Sequence, residues 1–204
     1  MINILPAKSG SSKKTNCIPK RKVKFMKTEY EIRILEIDLD RVTNTLELLG
    51  AKKVGEFFQK RYVYDLNPVQ SGKWIRLRTN GIKTTLTYKD IVSNTIDGTK
   101  EVEIEVDSFE NTNELLNKLG YFSRSYQENK RIQYILDDVE IDIDSWPMIP
   151  TYMEIEGKTE EAVNNMLEKL NIDKEKITTL NCDDIYKNFY NIDISKIKNL
   201  KFDD

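Results

Sequence analysis

Histidine is absent from the 204-residue chain. That absence removes Ser-His-Asp triads, Cys-His dyads, and zinc or haem sites built on imidazole. Cysteine is scarce as well: Cys17 and Cys182 stand far apart, which excludes a disulfide framework and fits a reducing cytoplasm. Any metal must therefore sit on oxygen ligands, the chemistry of magnesium or manganese. No window approaches the roughly 20 apolar residues of a membrane-spanning helix. The start of the chain has no apolar stretch of signal-peptide length, so neither a membrane role nor export is expected. An excess of one charge sign is missing too. The 32 Lys and Arg nearly balance the 34 Asp and Glu, for a formal net charge of -2, which argues against nucleic acid as a partner.

What the chain does have is charge in regular order. Residues 1–26 are polar and rich in Ser and Lys, and are expected to form a flexible arm whose basic run is Lys20, Arg21, Lys22 and Lys24. From Glu29 the pattern changes to alternation, with Glu29, Glu31 and Arg33 on one face and Tyr30, Ile32 and Ile34 on the other. That is a strand with one charged and one apolar side. A helix follows, with an Asp at its start, Val42, Leu46 and Leu49 at helical spacing, and Gly50 at its end. Three more strands are expected over 57–65, 74–79 and 84–89, the last two joined through Asn80-Gly81, a preferred hairpin pair.

The second half repeats this order. Glu101, Glu103 and Glu105 alternate with Val102, Ile104 and Val106, and Glu101 lies 72 residues after Glu29 (101 minus 29). A helix with Leu115, Leu116 and Leu119 closes at Gly120, 70 after Gly50 (120 minus 50). Lys130-Arg131 then recurs 70 after Lys60-Arg61 (130 minus 60), and strands over 139–145 and 152–157 complete the copy. The expectation is one α+β domain over 27–192, an eight-stranded antiparallel barrel built from a duplicated β-α-β-β-β unit, because one four-stranded copy alone is a marginal unit. A third helix is expected over 160–170, a short fourth over 183–190, and a C-terminal tail over 193–204.

The direction of the charged faces decides what such a barrel does. In an ordinary half-solvated sheet they point to water. The amphipathic helices argue otherwise: their Leu and Val stripes need an apolar surface, which exists only if the strands turn their apolar faces outward. The lumen then receives Glu29, Glu31, Arg33, Arg61, Arg76, Arg78, Lys89, Glu101, Glu103, Glu105, Arg131, Glu140, Asp142, Asp144, Glu154 and Glu156. So many ions cannot be buried dry. Basic residues cluster on the second to fourth strands and carboxylates on the first, fifth, seventh and eighth, so the matching guest is a polyanion bridged by divalent cations, such as a triphosphate with Mg²⁺ or Mn²⁺. Trp74 and Trp146 are expected to be packing residues.

The stretch Glu29-Tyr-Glu31-Ile-Arg33 resembles the Glu-x-Glu-x-Lys signature of the CYTH superfamily, the triphosphate tunnel metalloenzymes. The resemblance continues through Lys73-Trp-Ile-Arg76-Leu-Arg78, Leu86-Thr-Tyr-Lys89, Glu101-Val-Glu103-Ile-Glu105, Lys130-Arg131, Asp142-Ile-Asp144 and Glu154-Ile-Glu156. It implies an eight-stranded tunnel that holds a triphosphate with Mg²⁺ or Mn²⁺. By the same resemblance, Glu29, Glu31, Asp144, Glu154 and Glu156 are metal ligands. Arg33, Arg61, Arg76, Arg78, Lys89 and Arg131 bind phosphate, and Glu29, Glu31 and Lys89 are the catalytic residues. Two positions depart from the family pattern: Arg33 stands where the signature has Lys, and Asn129 where many members have Lys.

These features lead to a metal-dependent hydrolase of inorganic tripolyphosphate, thiamine triphosphate or a nucleoside triphosphate, acting in the cytoplasm as a monomer or homodimer. Two other readings stand beside it. One is a class IV adenylyl cyclase that converts ATP to cyclic AMP and pyrophosphate; the other is a non-catalytic module that binds triphosphate or polyphosphate.

Overall fold

The structure is a computed structural model that describes residues 26–172 and 174–203. The arm expected over 1–26, with its basic run and Cys17, lies outside the described residues except for Met26. The domain begins with β1 (Lys27–Ile34), α1 (Leu39–Leu48), β2 (Lys52–Asp65), β3 (Lys73–Thr79) and β4 (Thr84–Ile91). The same order returns as β5 (Thr99–Val106), α2 (Phe109–Lys118), β6 (Ser123–Leu136), β7 (Val139–Ser145) and β8 (Tyr152–Gly157). After the second copy come α3 (Glu160–Lys169), the short β9 (Ile177–Thr178), α4 (Cys182–Tyr190) and the short β10 (Asn199–Leu200).

Local chemistry sets the boundaries in both copies. The Asp38 carboxylate accepts a hydrogen bond from the Arg41 amide at the start of α1, and the Ser108 hydroxyl accepts one from the Asn111 amide at the start of α2. Beyond the two helices, Gly50 at φ 78° and Gly120 at φ 89° take the left-handed conformation that turns the chain back toward the sheet. The β3–β4 hairpin turns on Gly81, at φ 85°, and Ile82, while the Asn80 side-chain oxygen accepts from the Ile82 and Lys83 amides.

The strands pair in the order β6-β2-β3-β4-β5-β1-β8-β7, and β7 pairs back to β6, so the antiparallel barrel closes. Its apolar faces point outward. Ile32, Ile141, Ile155, Leu46 and Val163 form one core where α1 and α3 cover β1, β8 and β7. Tyr64, Leu77, Phe109 and Leu116 form a second under α2. Trp146, Tyr152, Ile185, Tyr186, Ile194 and Leu200 form a third beneath α4. The stretch expected as a tail over 193–204 contributes Ile194 and Leu200 to that third core, and β10 pairs in parallel with β6. Among the described residues, no helix is long and apolar enough to cross a membrane.

This outward-apolar architecture predicts a large asymmetry between two isoleucines. Ile155→Ala, at a site with 0% exposure under the helices, should cost about 2–5 kcal/mol of unfolding free energy. Ile104→Ala, at a site 54% exposed, should cost no more than about 0.5 kcal/mol. Urea unfolding of the two variants checks this, and equal losses would contradict the placement of the core.

Candidate active site

The inward faces of the strands enclose a cavity of about 290 Å³. It is lined by all of the predicted site residues: Glu29, Glu31, Arg33, Arg61, Arg76, Arg78, Lys89, Arg131, Asp144, Glu154 and Glu156. A second cavity of about 230 Å³ shares Arg78, Glu103, Arg131 and Glu140 with the first and continues toward Lys83 and Gln133. Two members of the expected lumen set lie elsewhere. Asp142 is buried behind Arg131, and Glu105 reaches the rim, where its partner is Lys83 at 3.4 Å.

Strand register sorts the charges onto two walls. On the basic wall, Arg61 of β2 lies directly opposite Arg78 of β3, and Arg76 follows on the same face. On the acidic wall, Glu156 of β8 lies directly opposite both Glu31 of β1 and Glu140 of β7. Like charges in directly opposed positions destabilise a sheet. This barrel does it on both sides of one cavity.

Some of these ions have partners within the protein. Lys89 Nζ lies 2.7 Å from Glu29 and 3.4 Å from Glu101. Arg33 lies 3.0 Å from Glu31 and 2.6 Å from Glu154, and its third contact is a 3.0 Å hydrogen bond to the Leu180 carbonyl. Arg131 contacts Asp142 and grips Asp144 with two bonds, Nε to Oδ1 at 2.7 Å and Nη2 to Oδ2 at 2.5 Å. Asp144 also accepts from Asn129, so its oxygens are committed to the protein. The basic wall is different. Arg76 and Arg78 share one carboxylate, Glu103, at 3.5 and 3.9 Å, and Arg61 has no ion pair among the described residues.

A family model, the CYTH domain, matches residues 27–180. The chain belongs to the CYTH family. No curated protein sequence matches it significantly, but solved structures share its fold. PH1012 from Pyrococcus horikoshii OT3 superposes with a TM-score of 0.66 at 24% identity, covering 75% of this chain and 96% of that one. A candidate adenylate cyclase from Vibrio parahaemolyticus gives 0.68 at 14% identity, covering 79% and 98%. HpAC1 from Hippeastrum gives 0.55 at 15% identity, covering 80% and 96%.

Electrostatics in this CYTH barrel follow from the two walls. Burial, and then repulsion from Arg76, lowers the Arg78 guanidinium to about 9 and the Arg61 guanidinium to about 10. Burial and the neighbouring Glu29 and Glu154 raise the Glu156 carboxyl against the pull of Lys27, and burial with Glu156 raises Glu140. Glu154 goes the other way: burial opposes ionisation, but Arg33, Arg131 and Lys89 outweigh it and hold the carboxyl at about 2. The Cys182 thiol, which also lines the cavity, is pushed well up by burial, which disfavours the thiolate.

The acidic wall fits a hard divalent cation in its chemistry. Its donors are all carboxylate oxygens, and the crowding that raises Glu156 and Glu140 is relieved by positive charge. Among the described residues, no three acidic side chains stand close enough to hold an ion as they are now arranged. Glu31 and Glu154 are turned to Arg33, and Glu29 to Lys89.

Sequence reasoning left out several lining residues. Lys27, 2.6 Å from Glu156, shares the parity of Glu29 and was readable from the alternation. Asn181, Cys182 and Asp183 at the start of α4 close one end. Nothing local to their sequence signals that placement. Trp146 packs on Tyr186 but also lies under Arg61, while Trp74 lines the cavity.

The depressed Glu154 makes a pH prediction. Its ionised form stabilises the fold above the ordinary value of 4.5, and this contribution is lost as pH falls through about 2. Metal-free Glu154→Gln should therefore be less stable than wild type by about 3 kcal/mol at neutral pH, with the gap already narrowing at about pH 3. Denaturant titrations across that range test it, and a gap independent of pH would contradict the assignment.

Proposed function

We propose that this CYTH protein is a cytoplasmic, metal-dependent triphosphatase that hydrolyses the terminal phosphate of a triphosphate bound within the barrel. The observation that carries this reading is the opposition of Arg61, Arg76 and Arg78, which have one carboxylate between them among the described residues, to the crowded acids Glu29, Glu31, Glu154 and Glu156. A monophosphate cannot span three guanidiniums, whereas a phosphate chain supplies several charged oxygens in a row.

Arg61, Arg76 and Arg78 hold the phosphate oxygens, and the two latter stabilise negative charge on the leaving diphosphate as the terminal P–O bond breaks. Glu29, Glu31, Glu154 and Glu156 would hold Mg²⁺ or Mn²⁺, which when bound would neutralise charge on the phosphate chain. Glu29 and Glu31 orient the attacking water, whose oxygen bonds to the terminal phosphorus and whose proton passes to a carboxylate. Lys89, 2.7 Å from Glu29, holds that carboxylate in place. Arg131 completes the phosphate site, and Asp144 serves it by orienting the guanidinium through its two hydrogen bonds.

Cyclisation of ATP uses the same phosphate grip with a ribose hydroxyl as nucleophile. HpAC1, whose fold this chain shares, is described as a candidate adenylyl cyclase with a dominant triphosphatase activity, so the two reactions are tested together. Purified protein incubated with Mn²⁺ or Mg²⁺ and separately with tripolyphosphate, thiamine triphosphate and ATP should release orthophosphate. Exclusive formation of cyclic AMP and pyrophosphate from ATP would overturn the hydrolase reading. Glu31→Gln should lower turnover at least about 100-fold; unchanged turnover would remove Glu31 from the site. Arg78→Met should weaken tripolyphosphate binding about tenfold or more, without lowering the melting temperature, because it removes a cation that its neighbours repel. Unaltered affinity would count against its phosphate role.

A further inference from the structure

Arg61 differs from the other buried cations of the bore in what holds it. Lys89, Arg33 and Arg131 each contact carboxylates. Arg61 Nη2 instead donates to two neutral amides, Gln59 Oε1 at 3.1 Å and Asn129 Oδ1, and its guanidinium carbon lies 4.5 Å from the centre of the Trp146 ring. Its Nε is buried without a hydrogen-bond partner among the described residues. Gln59 and Asn129 face each other directly across β2 and β6, and both are buried. The orientation of the Asn129 amide is fixed from its far side, where Nδ2 donates to Asp144 Oδ1 at 3.1 Å and leaves the carbonyl oxygen toward Arg61.

Glutamine and asparagine are the uncharged isosteres of the side chains that would neutralise Arg61. A glutamate at 59 would turn a hydrogen bond from a cation to a neutral amide into an ion pair with hydrogen-bond geometry, and would steady the empty barrel. The protein forgoes that stability at both acceptor positions. We propose that Gln59 and Asn129 are positioning residues that aim Arg61 without compensating its charge, so that the guanidinium's only strong anionic partner is a phosphate oxygen of the substrate. This inference rests on the reading of the bore as a triphosphate site, and it gives Asn129 a purpose that a lysine at the same position could not serve, since an ammonium accepts no hydrogen bond.

The test measures tripolyphosphate binding by calorimetry and the melting temperature without anion, for wild type, Gln59→Glu and Asn129→Asp. Gln59→Glu should weaken tripolyphosphate binding about tenfold or more, while the anion-free protein melts at the wild-type temperature or above. A merely structural role would move affinity and melting temperature down together, and that result overturns the inference. So does wild-type affinity in Gln59→Glu, and so does failure of both variants to fold, since a carboxylate paired to Arg61 should support the empty fold. If wild type itself binds no tripolyphosphate, the triphosphate reading falls and the inference falls with it. Wild-type binding with an unresponsive Gln59→Glu defeats the inference alone.

Discussion

Arg61 and Arg78 sit directly opposite each other on neighbouring strands, with Arg76 on the same face and Glu103 as the one carboxylate that Arg76 and Arg78 share. A folded chain has no structural need for this arrangement, and it loses stability by keeping it. The rest of the molecule is organised to hold it. The barrel must close so that the two walls face each other, and the apolar sides of the strands must then be covered from outside. α1, α2 and α3 supply that cover, and α4 closes one end of the bore.

The two walls differ in how far the protein has neutralised them. Arg33, Lys89 and Arg131 are matched to Glu29, Glu31, Glu154, Asp142 and Asp144, which fixes their geometry before any ligand arrives. Arg61, Arg76 and Arg78 are largely unmatched, and burial, with repulsion from Arg76 added to it, lowers the proton affinity of Arg61 and Arg78. Preorganisation and unmet charge therefore occupy separate parts of one cavity. Arg33, the departure from the family's lysine, belongs to the first part: its planar fork reaches Glu31, Glu154 and the Leu180 carbonyl at once, which ties the chain before α4 to the acidic wall. Asn129, the other departure, belongs to the second.

Much of this was legible in the sequence because strands have a period of two. Alternation placed Glu29, Glu31 and Arg33 on one face, and the helical stripes of Val42, Leu46 and Leu116 required the opposite faces to point outward. The 70-residue repeat of Gly50 in Gly120 and of Arg61 in Arg131 supplied the duplication. What alternation could not show is which acid meets which base across the lumen, because those partners are set by register and closure. Alternation put Arg131 in the lumen but could not show that Asp142 and Asp144 hold its guanidinium there. Glu105 has the right parity but sits too near the end of β5 to be enclosed. The end formed by Asn181, Cys182 and Asp183 depends on a segment that folds back over the barrel, and local sequence carries no trace of that path.

The central claim concerns where an anion goes. Crystals of the protein grown with Mn²⁺ and tripolyphosphate, or with a non-hydrolysable triphosphate analogue, locate it directly by diffraction. The account predicts phosphate oxygens on Arg61, Arg76 and Arg78 inside the barrel and the metal on the side of Glu29, Glu31, Glu154 and Glu156. An anion bound only to lysines of the outer surface, with the bore holding water alone, would contradict it.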